Sequence, residues 1–337
     1  MTVNRQIILK ERPEGQLTAG HFELRDGAVP TPGEGEALVR TLYLSLDAAN
    51  RAWMSKAATY TNPVEIGGVM DGMTLGVVEA SNDPSLAKGD IVEATTGWQQ
   101  YGVRPAKQMR KVKPTEPLSL LLSGVGITGK TAYFGLLDIG RPKAGETVLV
   151  SAAAGAVGSV VGQIAKLKGC KVVGVAGSDE KCAWLTDDLG FDAAVNYRDG
   201  GLFKNLRGVC PDGVDVYFDN TGGPILEAAL FLLNPNGRVA CCGAVSQYDT
   251  ATPDPGPRGV PGLLVVKRLS MQGFIVMDYA KDYAKAEAEL AGWIADGEVK
   301  IQEDIIDGLE NAPAALVGLL AGENRGKRMI RVEPSAR

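Results

Sequence analysis

The sequence predicts an α/β protein of two domains: a β-rich, barrel-like first part, then a doubly wound parallel sheet. Three observations predict it. The chain has 337 residues, and at roughly 150 residues per domain that length suggests two. Its first 125 residues or so carry short alternating strands between turns. From about residue 126 the texture changes to strand, helix, strand, helix, the pattern of parallel βαβ units.

The elements follow in order. Residues 37–46 (ALVRTLYLSL), 75–80 and 90–94 (DIVEA) read as strands, because apolar and polar residues alternate. Turns lie between them at Pro30-Thr31-Pro32-Gly33, Asn82-Asp83-Pro84 and Lys88-Gly89-Asp90. Short strands at this spacing suggest a barrel. Residues 146–151 form a buried-type strand, 158–168 a helix, 171–175 a strand, 179–189 a helix, and 193–196 and 215–219 strands. A helix follows at 225–233, stopped by the turn Asn234-Pro235-Asn236-Gly237, then a strand at 238–243. A Pro/Gly loop covers 254–262, an amphipathic helix 279–296, and the last 35 residues or so read as strand, helix, strand. No internal repeat interrupts this order.

Composition excludes several classes. Hydrophobic residues make up 45% and charged residues 22%, values that rule out disorder, collagen and coiled coil for the bulk of the chain. Glycine is in excess, with 43 residues, which fits tight turns and close backbone approaches. Net charge is -5 and no Lys/Arg run tracks along the chain, so nucleic acid is not an expected partner. Cys170, Cys182, Cys210, Cys241 and Cys242 form no C-x-x-C pair and are odd in number. They read as reduced thiols of a cytoplasmic protein. The start, MTVNRQIILKERPEG, carries charges where a signal peptide needs an apolar region.

His21 is the single histidine. One His and five scattered Cys do not build the usual zinc site, so no metal is expected. A Ser/His/Asp triad or a Cys/His pair would have to use His21, which lies in a polar stretch and reads as solvated or structural. The chemistry then falls to a cofactor. The 18-residue uncharged run 148–165 has Gly158 and Gly162 at membrane-helix spacing. Ser151, Ser159 and Gln163 interrupt it, and a strand, a glycine turn and a helix start explain it better, so no membrane span is expected.

Residues 152–158 read AAAGAVG. Ala153, Gly155 and Gly158 fill the three positions of a G-x-G-x-x-G fingerprint, the first by alanine. Gly155 would let the backbone approach a pyrophosphate, and Gly158 would let the helix lie close to the strand. The helix amino terminus then faces the phosphates with N–H groups and the positive dipole end. A strand before, a helix after and a second strand ending some 20 residues on make this a dinucleotide-binding Rossmann unit. That second strand ends Val175-Ala176-Gly177-Ser178, with no carboxylate at its tip. Lys181 lies three positions beyond Ser178, at helical-neighbour spacing. This favours NADP, whose 2′-phosphate takes basic or small polar partners. Asp179 and Glu180 are the competing ribose acceptors, or first-turn residues favoured by the helix dipole.

The run 152–197 resembles the zinc-free medium-chain dehydrogenase/reductases. Within them it is most similar to the NADPH-dependent alkenal/enone double-bond reductases, the group of the prostaglandin reductases, curcumin reductase and the plant alkenal reductases. Further motifs at 218–223 (FDNTGG), 242–248 (CGAVSQY), 273–276 (GFIV) and 322–327 (GENRGK) extend the resemblance over almost the whole chain. It implies a GroES-like substrate domain at 1–122, completed by 305–337, and a Rossmann NADP-binding domain at 123–304. It implies that Gly155, Ala156, Val157 and Gly158 meet the pyrophosphate. Gly177, Ser178 and Lys181 would meet the 2′-phosphate, with Tyr197 at the adenosine end. Asn220, Cys242, Tyr248, Phe274, Ile275, Val276 and Asn324 would line the path to the nicotinamide; Phe274–Val276 also read as a core strand. The family's D-P-Y-M-R is here Asp47-Ala48-Ala49-Asn50-Arg51, so the tyrosine contact is lost and the pocket beside Ala49 should be wider. Tyr60 matches a later pocket tyrosine.

The implied activity is reduction of the C=C bond of α,β-unsaturated aldehydes and ketones by hydride transfer from NADPH to the β-carbon. A quinone reductase, or a non-catalytic NADPH-binding protein, is the alternative. Without a metal or a suitable histidine, the donors to the substrate carbonyl would be hydroxyls, the phenols of Tyr248 and Tyr60 together with the cofactor's own ribose 2′-OH; the competing role for Tyr248 is stacking on the nicotinamide. The segment 269–276 reads as the last strand of the parallel sheet, which in relatives pairs across a homodimer interface, and an unpaired apolar edge there would be a liability.

Overall fold

The computed structural model describes residues 3–56, 61–253 and 255–332. In chain order it begins with strands β1 (Val3–Leu9), β2 (Phe22–Ala28) and β3 (Glu36–Ser45), helix α1 (Ala49–Trp53), and strands β4 (Thr74–Ser81), β5 (Ile91–Ala94), β6 (Tyr101–Pro105) and β7 (Arg110–Lys111). Alternation follows: α2 (Ile127–Phe134), β8 (Thr147–Val150), α3 (Gly158–Leu167), β9 (Lys171–Ala176), α4 (Asp179–Asp187) and β10 (Ala193–Asn196). It continues with α5 (Leu202–Val209), β11 (Val214–Asp219), α6 (Gly223–Leu232), β12 (Leu233–Cys241), α7 (Val260–Lys267), β13 (Ser270–Gly273) and α8 (Tyr283–Ala295). The chain closes with β14 (Glu303–Asp307), α9 (Ala312–Leu320) and β15 (Lys327–Arg331).

Two compact units result. The first comprises Met1–Leu122, Asp249–Ala251 and Glu303–Arg337; the second comprises Ser123–Tyr248 and Thr252–Gln302.

In the first unit, β1 and β2 form an antiparallel pair, and seven strands form a mixed sheet in the order β14-β15-β3-β4-β5-β7 with β6 on β3. Only β14 and β15 run parallel. The alternation read at 37–46 is the burial alternation of β3, whose Ala37 and Val39 meet Val78, Val92 and Met109 in one core. A second core joins Ile7, Leu9, Leu44 and Trp98 to Leu316 and Ile330 from the far end of the chain. The sequence does not mark β2, which beyond Phe22 is largely exposed and carries no apolar period; its partner β1 buries Ile7, Ile8 and Leu9.

The second unit holds a six-stranded, all-parallel sheet in the order β10-β9-β8-β11-β12-β13. Numbered along the unit, that is the 3-2-1-4-5-6 order of the dinucleotide-binding folds. Strand order reverses between β8 and β11, and ligands of such sheets bind beyond the carboxyl ends of the strands at this point. The uncharged run 148–165 is β8, a turn and α3, with Gly158–Ala165 of the helix all buried. No helix among the described residues is long and apolar enough to cross a membrane. Buried Lys130 on α2 is satisfied by Glu287 of α8 at 2.7 Å, with the Tyr283 ring 4.6 Å from its Nζ; such a pair fixes geometry more than it stabilises.

Three expectations are corrected. Residues 274–276 are not a core strand, because β13 ends at Gly273 and a helical turn starts at Val276. The turn 234–237 does not separate helix from strand: it is the irregular start of β12, with a register shift against β11 and Asn236 at φ 66°. The helix read at 279–296 begins only at Tyr283, the turns before it being 3₁₀.

Candidate active site

The glycine turn joins β8 to α3. Ala153 N–H donates to Val175 O at 2.9 Å and Gly155 N–H to Ala152 O at 3.0 Å, folding the turn back on itself. A Cβ on Gly158 would stand 2.5 Å from Ala152 O and 2.8 Å from Ala153 Cα. Gly158 is therefore required where the helix meets the turn, as the fingerprint's third position demands. A Cβ on Gly155 would touch only Ala152 O, at 3.2 Å, so a methyl there would otherwise occupy open space beside the turn. This is the cradle a pyrophosphate needs. One feature departs from the expectation: Ala152, one residue before the first fingerprint position, takes φ 46°, the left-handed region that favours glycine.

At the end of β9, Ser178 is extended and caps α4, its Oγ accepting Lys181 N–H at 3.3 Å. The cap leaves the hydroxyl hydrogen to donate to an anion, and it orients the first turn of α4, from which Lys181 projects. A Cβ on Gly177 would lie 3.2 Å from the Tyr197 ring; the glycine lets that ring, 41% exposed, close over the strand tip. Gly177, Ser178 and Tyr197 are thus brought together. Asp179 Oδ1 is occupied by Asn196 Nδ2 at 2.9 Å, which commits Asp179 to the helix start. Arg198, whose guanidinium is 5.7 Å from the Tyr197 ring centroid, was missed; a second base beside Tyr197 was the available signal.

The switch point is held by β11. Asp219 Oδ1 accepts the Tyr217 hydroxyl at 2.8 Å and the Thr221 and Gly222 N–H groups at 2.9 and 2.8 Å. Burial pushes the Asp219 carboxyl up, against the pull of these hydrogen bonds. Asn220 N–H donates to Ser151 Oγ at 2.9 Å and its Nδ2 to Ser151 O at 2.7 Å, so the ends of β8 and β11 are fixed together. Burial pushes the Cys242 thiol up to about 12, with Asp219 adding to it. A thiol so poorly ionised lines a site and does not attack.

After β12 the chain crosses this end of the sheet. Val245 N–H donates to Asn220 O and Ser246 N–H to Thr221 O, each at 3.2 Å. The Tyr248 Oη accepts Ala244 N–H at 3.1 Å. One lone pair of the phenol is thereby used by the backbone, and its own hydrogen is left to donate. Phe274 packs edge-on to Phe218 at 6.3 Å and fills the space a Cβ on Gly135 would need; Val276 is buried. Asn324 lies in the first unit, its Nδ2 donating to Gly326 O at 2.8 Å. Tyr60 lies outside the described residues. Beside it in sequence, Asp47 binds Lys327 Nζ at 2.5 Å and Arg51 binds Asp249 at 2.9 Å. Among the described residues no group of three or more His, Cys, Asp or Glu stands together to hold a metal.

Two family models match the chain: one described as the N-terminal domain of oxidoreductase over residues 5–112, and one described as zinc-binding dehydrogenase over 156–292. The NADPH-dependent curcumin reductase of Escherichia coli is 45% identical over 335 residues, 98% of this chain and 97% of that protein. The 2-alkenal reductase (NADP(+)-dependent) of Nicotiana tabacum is 40% identical over 338 residues, 98% of this chain and 97% of that protein. CurA from Vibrio vulnificus, solved in complex with NADPH, superposes with a TM-score of 0.93 at 44% identity, over 98% of this chain and 99% of that one. The glycine turn, the switch point and these similarities over nearly the full length agree: the chain belongs to the medium-chain dehydrogenase/reductases, in their group of NADPH-dependent alkenal and enone reductases.

Proposed function

We propose that this chain reduces the C=C bond of α,β-unsaturated aldehydes and ketones with NADPH. The observation that carries the reading is the Tyr248 phenol, at the carboxyl end of the parallel sheet, with its oxygen accepting Ala244 N–H and its hydrogen available. NADPH, when bound, supplies a hydride to the substrate β-carbon. The π pair of the C=C bond then forms a bond between the α-carbon and the carbonyl carbon, and the carbonyl π pair moves onto its oxygen, giving an enolate. A phenolic O–H aimed at that oxygen stabilises the enolate, and a bond from Ala244 N–H makes the phenol a better donor by withdrawing charge. A proton reaching the α-carbon completes the reaction. Tyr60 is the second donor in this reading.

Gly155, Ala156, Val157 and Gly158 would hold the pyrophosphate; Gly177, Ser178 and Lys181 the 2′-phosphate; and Tyr197 the adenosine end. Asn220, Cys242, Ile275 and Asn324 would border the nicotinamide, with Phe274 and Val276 backing it. The first unit acts as the substrate domain and the second as the NADP domain. The protein works as a cytoplasmic homodimer, its copies paired along β13, whose four residues are exposed, as are Val265 and Val266 of the preceding α7.

The deciding experiment follows NADPH oxidation with 2-alkenals, with quinones, and with neither. Turnover with 2-alkenals and a saturated aldehyde as product supports the reading. Turnover with quinones alone makes the chain a quinone reductase, and no turnover with either makes it a binding protein.

A further inference from the structure

The polypeptide leaves the second unit after Tyr248, lodges Asp249–Ala251 in the first, and returns at Thr252. That excursion is anchored. Arg51 on α1, 5% exposed, donates from Nε to Asp249 Oδ1 at 2.9 Å. The same Oδ1 accepts Leu17 N–H at 2.7 Å. The far side of the guanidinium donates to Gly15 O at 2.8 Å and Pro13 O at 3.3 Å. Ala251 Cβ lies 3.7 Å from the Cβ position of Gly15. On the other side of Tyr248, Val245 and Ser246 are fastened to the end of β11 through Asn220 O and Thr221 O. Asp249, held by these bonds within the first unit, is the immediate chain neighbour of the proposed catalytic tyrosine.

We propose that the Arg51–Asp249 ion pair is a positioning device for the Tyr248 phenol. The proposal rests on the reading of Tyr248 as the donor to the substrate carbonyl. A buried ion pair is a poor source of net stability, because desolvation of both charges offsets their attraction. It is a good source of direction: a guanidinium offers its donors in a rigid, planar fork, and each bond here has a distinct acceptor. Direction is what an enolate-stabilising donor requires, since a misplacement of about 1 Å can cost on the order of 100-fold in rate. Arg51 and Asp249 touch neither substrate nor cofactor in this account; they act through the one peptide bond that separates Asp249 from Tyr248.

The test is a double-mutant cycle on Asp249→Ala and Tyr248→Phe, read as kcat and KM with a 2-alkenal and NADPH. Asp249→Ala is expected to lower kcat about ten-fold while KM for NADPH stays within about two-fold. Combined with Tyr248→Phe it should cost nothing further, because no hydroxyl remains to be aimed. Asp249→Asn keeps an acceptor of the same size for the guanidinium and should recover most of kcat, which a requirement for the charge alone would not allow. Should Asp249→Ala fail to fold, Arg51→Lys keeps the charge, loses the fork and carries the same cycle. If Tyr248→Phe lowers kcat but the two losses multiply, or if Asp249→Ala leaves kcat intact, the pair is only fold glue and the positioning proposal is overturned alone. If Tyr248→Phe itself leaves kcat unchanged, the reading of the phenol as donor fails, and the proposal with it.

Discussion

Tyr248 matters through a single hydrogen atom, which makes Tyr248→Phe an informative change. A preorganised donor to an oxyanion contributes about 2.7–4 kcal/mol; with the cofactor's ribose hydroxyl sharing that load, kcat with a 2-alkenal should fall about 10–100-fold. Tyr60→Phe belongs in the same experiment, and a double variant within about two-fold of the unmodified enzyme would remove both phenols from the chemistry. At the other end of the cofactor, Lys181 would give a charge-assisted contact to the 2′-phosphate worth about 1.5–3 kcal/mol. Lys181→Ala should therefore narrow the preference for NADPH over NADH by about ten-fold or more. Equal kcat/KM for both cofactors before mutation would remove the premise. Ala152 makes a third case, because its φ of 46° costs an L-residue about 1–2 kcal/mol. Glycine gives back about 0.4–1 kcal/mol of that through the freer unfolded chain. Ala152→Gly should raise the melting temperature by about 2 °C, and a fall would show that the methyl contributes packing the backbone strain does not outweigh. The glycine fingerprint, the cap at Ser178 and the neighbouring Tyr197 were legible because their partners are near in sequence or fixed by the turn. The Arg51–Asp249 pair spans 198 residues, and no local pattern signals such a contact.

Helix α3 shows how an element's fit constrains its letters. A Cβ on Gly162 would stand 1.9 Å from the Phe191 ring, and Phe191 is buried. Gly162→Ala should cost about 1–3 kcal/mol of stability by overpacking, measured by urea unfolding. Gly162→Ala combined with Phe191→Leu should lose less than the two single changes together, since the smaller side chain vacates the collision; strict additivity would point to the helix backbone and not to the ring. The sequence showed the helix and its small residues at 158 and 162, but not what they lie against. The parallel strands were readable because each is a short buried run with a helix after it. Strand β2 is not readable, being exposed beyond Phe22 with no apolar alternation, and the Asn, Pro and Gly at the start of β12 read as a turn although they sit inside an irregular strand. In both places tertiary pairing overrides the local preference.

On the scale of the whole molecule, the exposed β13 edge sets the first expectation. Among the described residues its four exposed residues pair with β12 alone in the sheet, and Val265 and Val266 of the preceding α7 are 75% and 70% exposed. Edges of this kind are normally covered. Light scattering at micromolar concentration should give about twice the single-chain mass of 35.4 kDa, and a mass near the single chain would refute the dimer. The other whole-molecule feature is the route of the chain. The parallel sheet takes all its strands from residues 147–273, whereas the mixed sheet needs β15, from residues 327–331, against β3. On a ribosome moving at about 5–20 residues per second, the first 122 residues wait about 10–40 s for that last strand. Leu44 and Ile7 meanwhile lack the Leu316 and Ile330 that complete their core. The half of the protein made second can thus finish folding before the half made first. The nascent amino-terminal strands, with the Tyr43–Ser45 end of β3 unpaired until β15 arrives, are the natural clients of whatever shields new chains, and a message cut short between the codons of residues 302 and 327 yields a product whose nucleotide fold is whole and whose other half never closes.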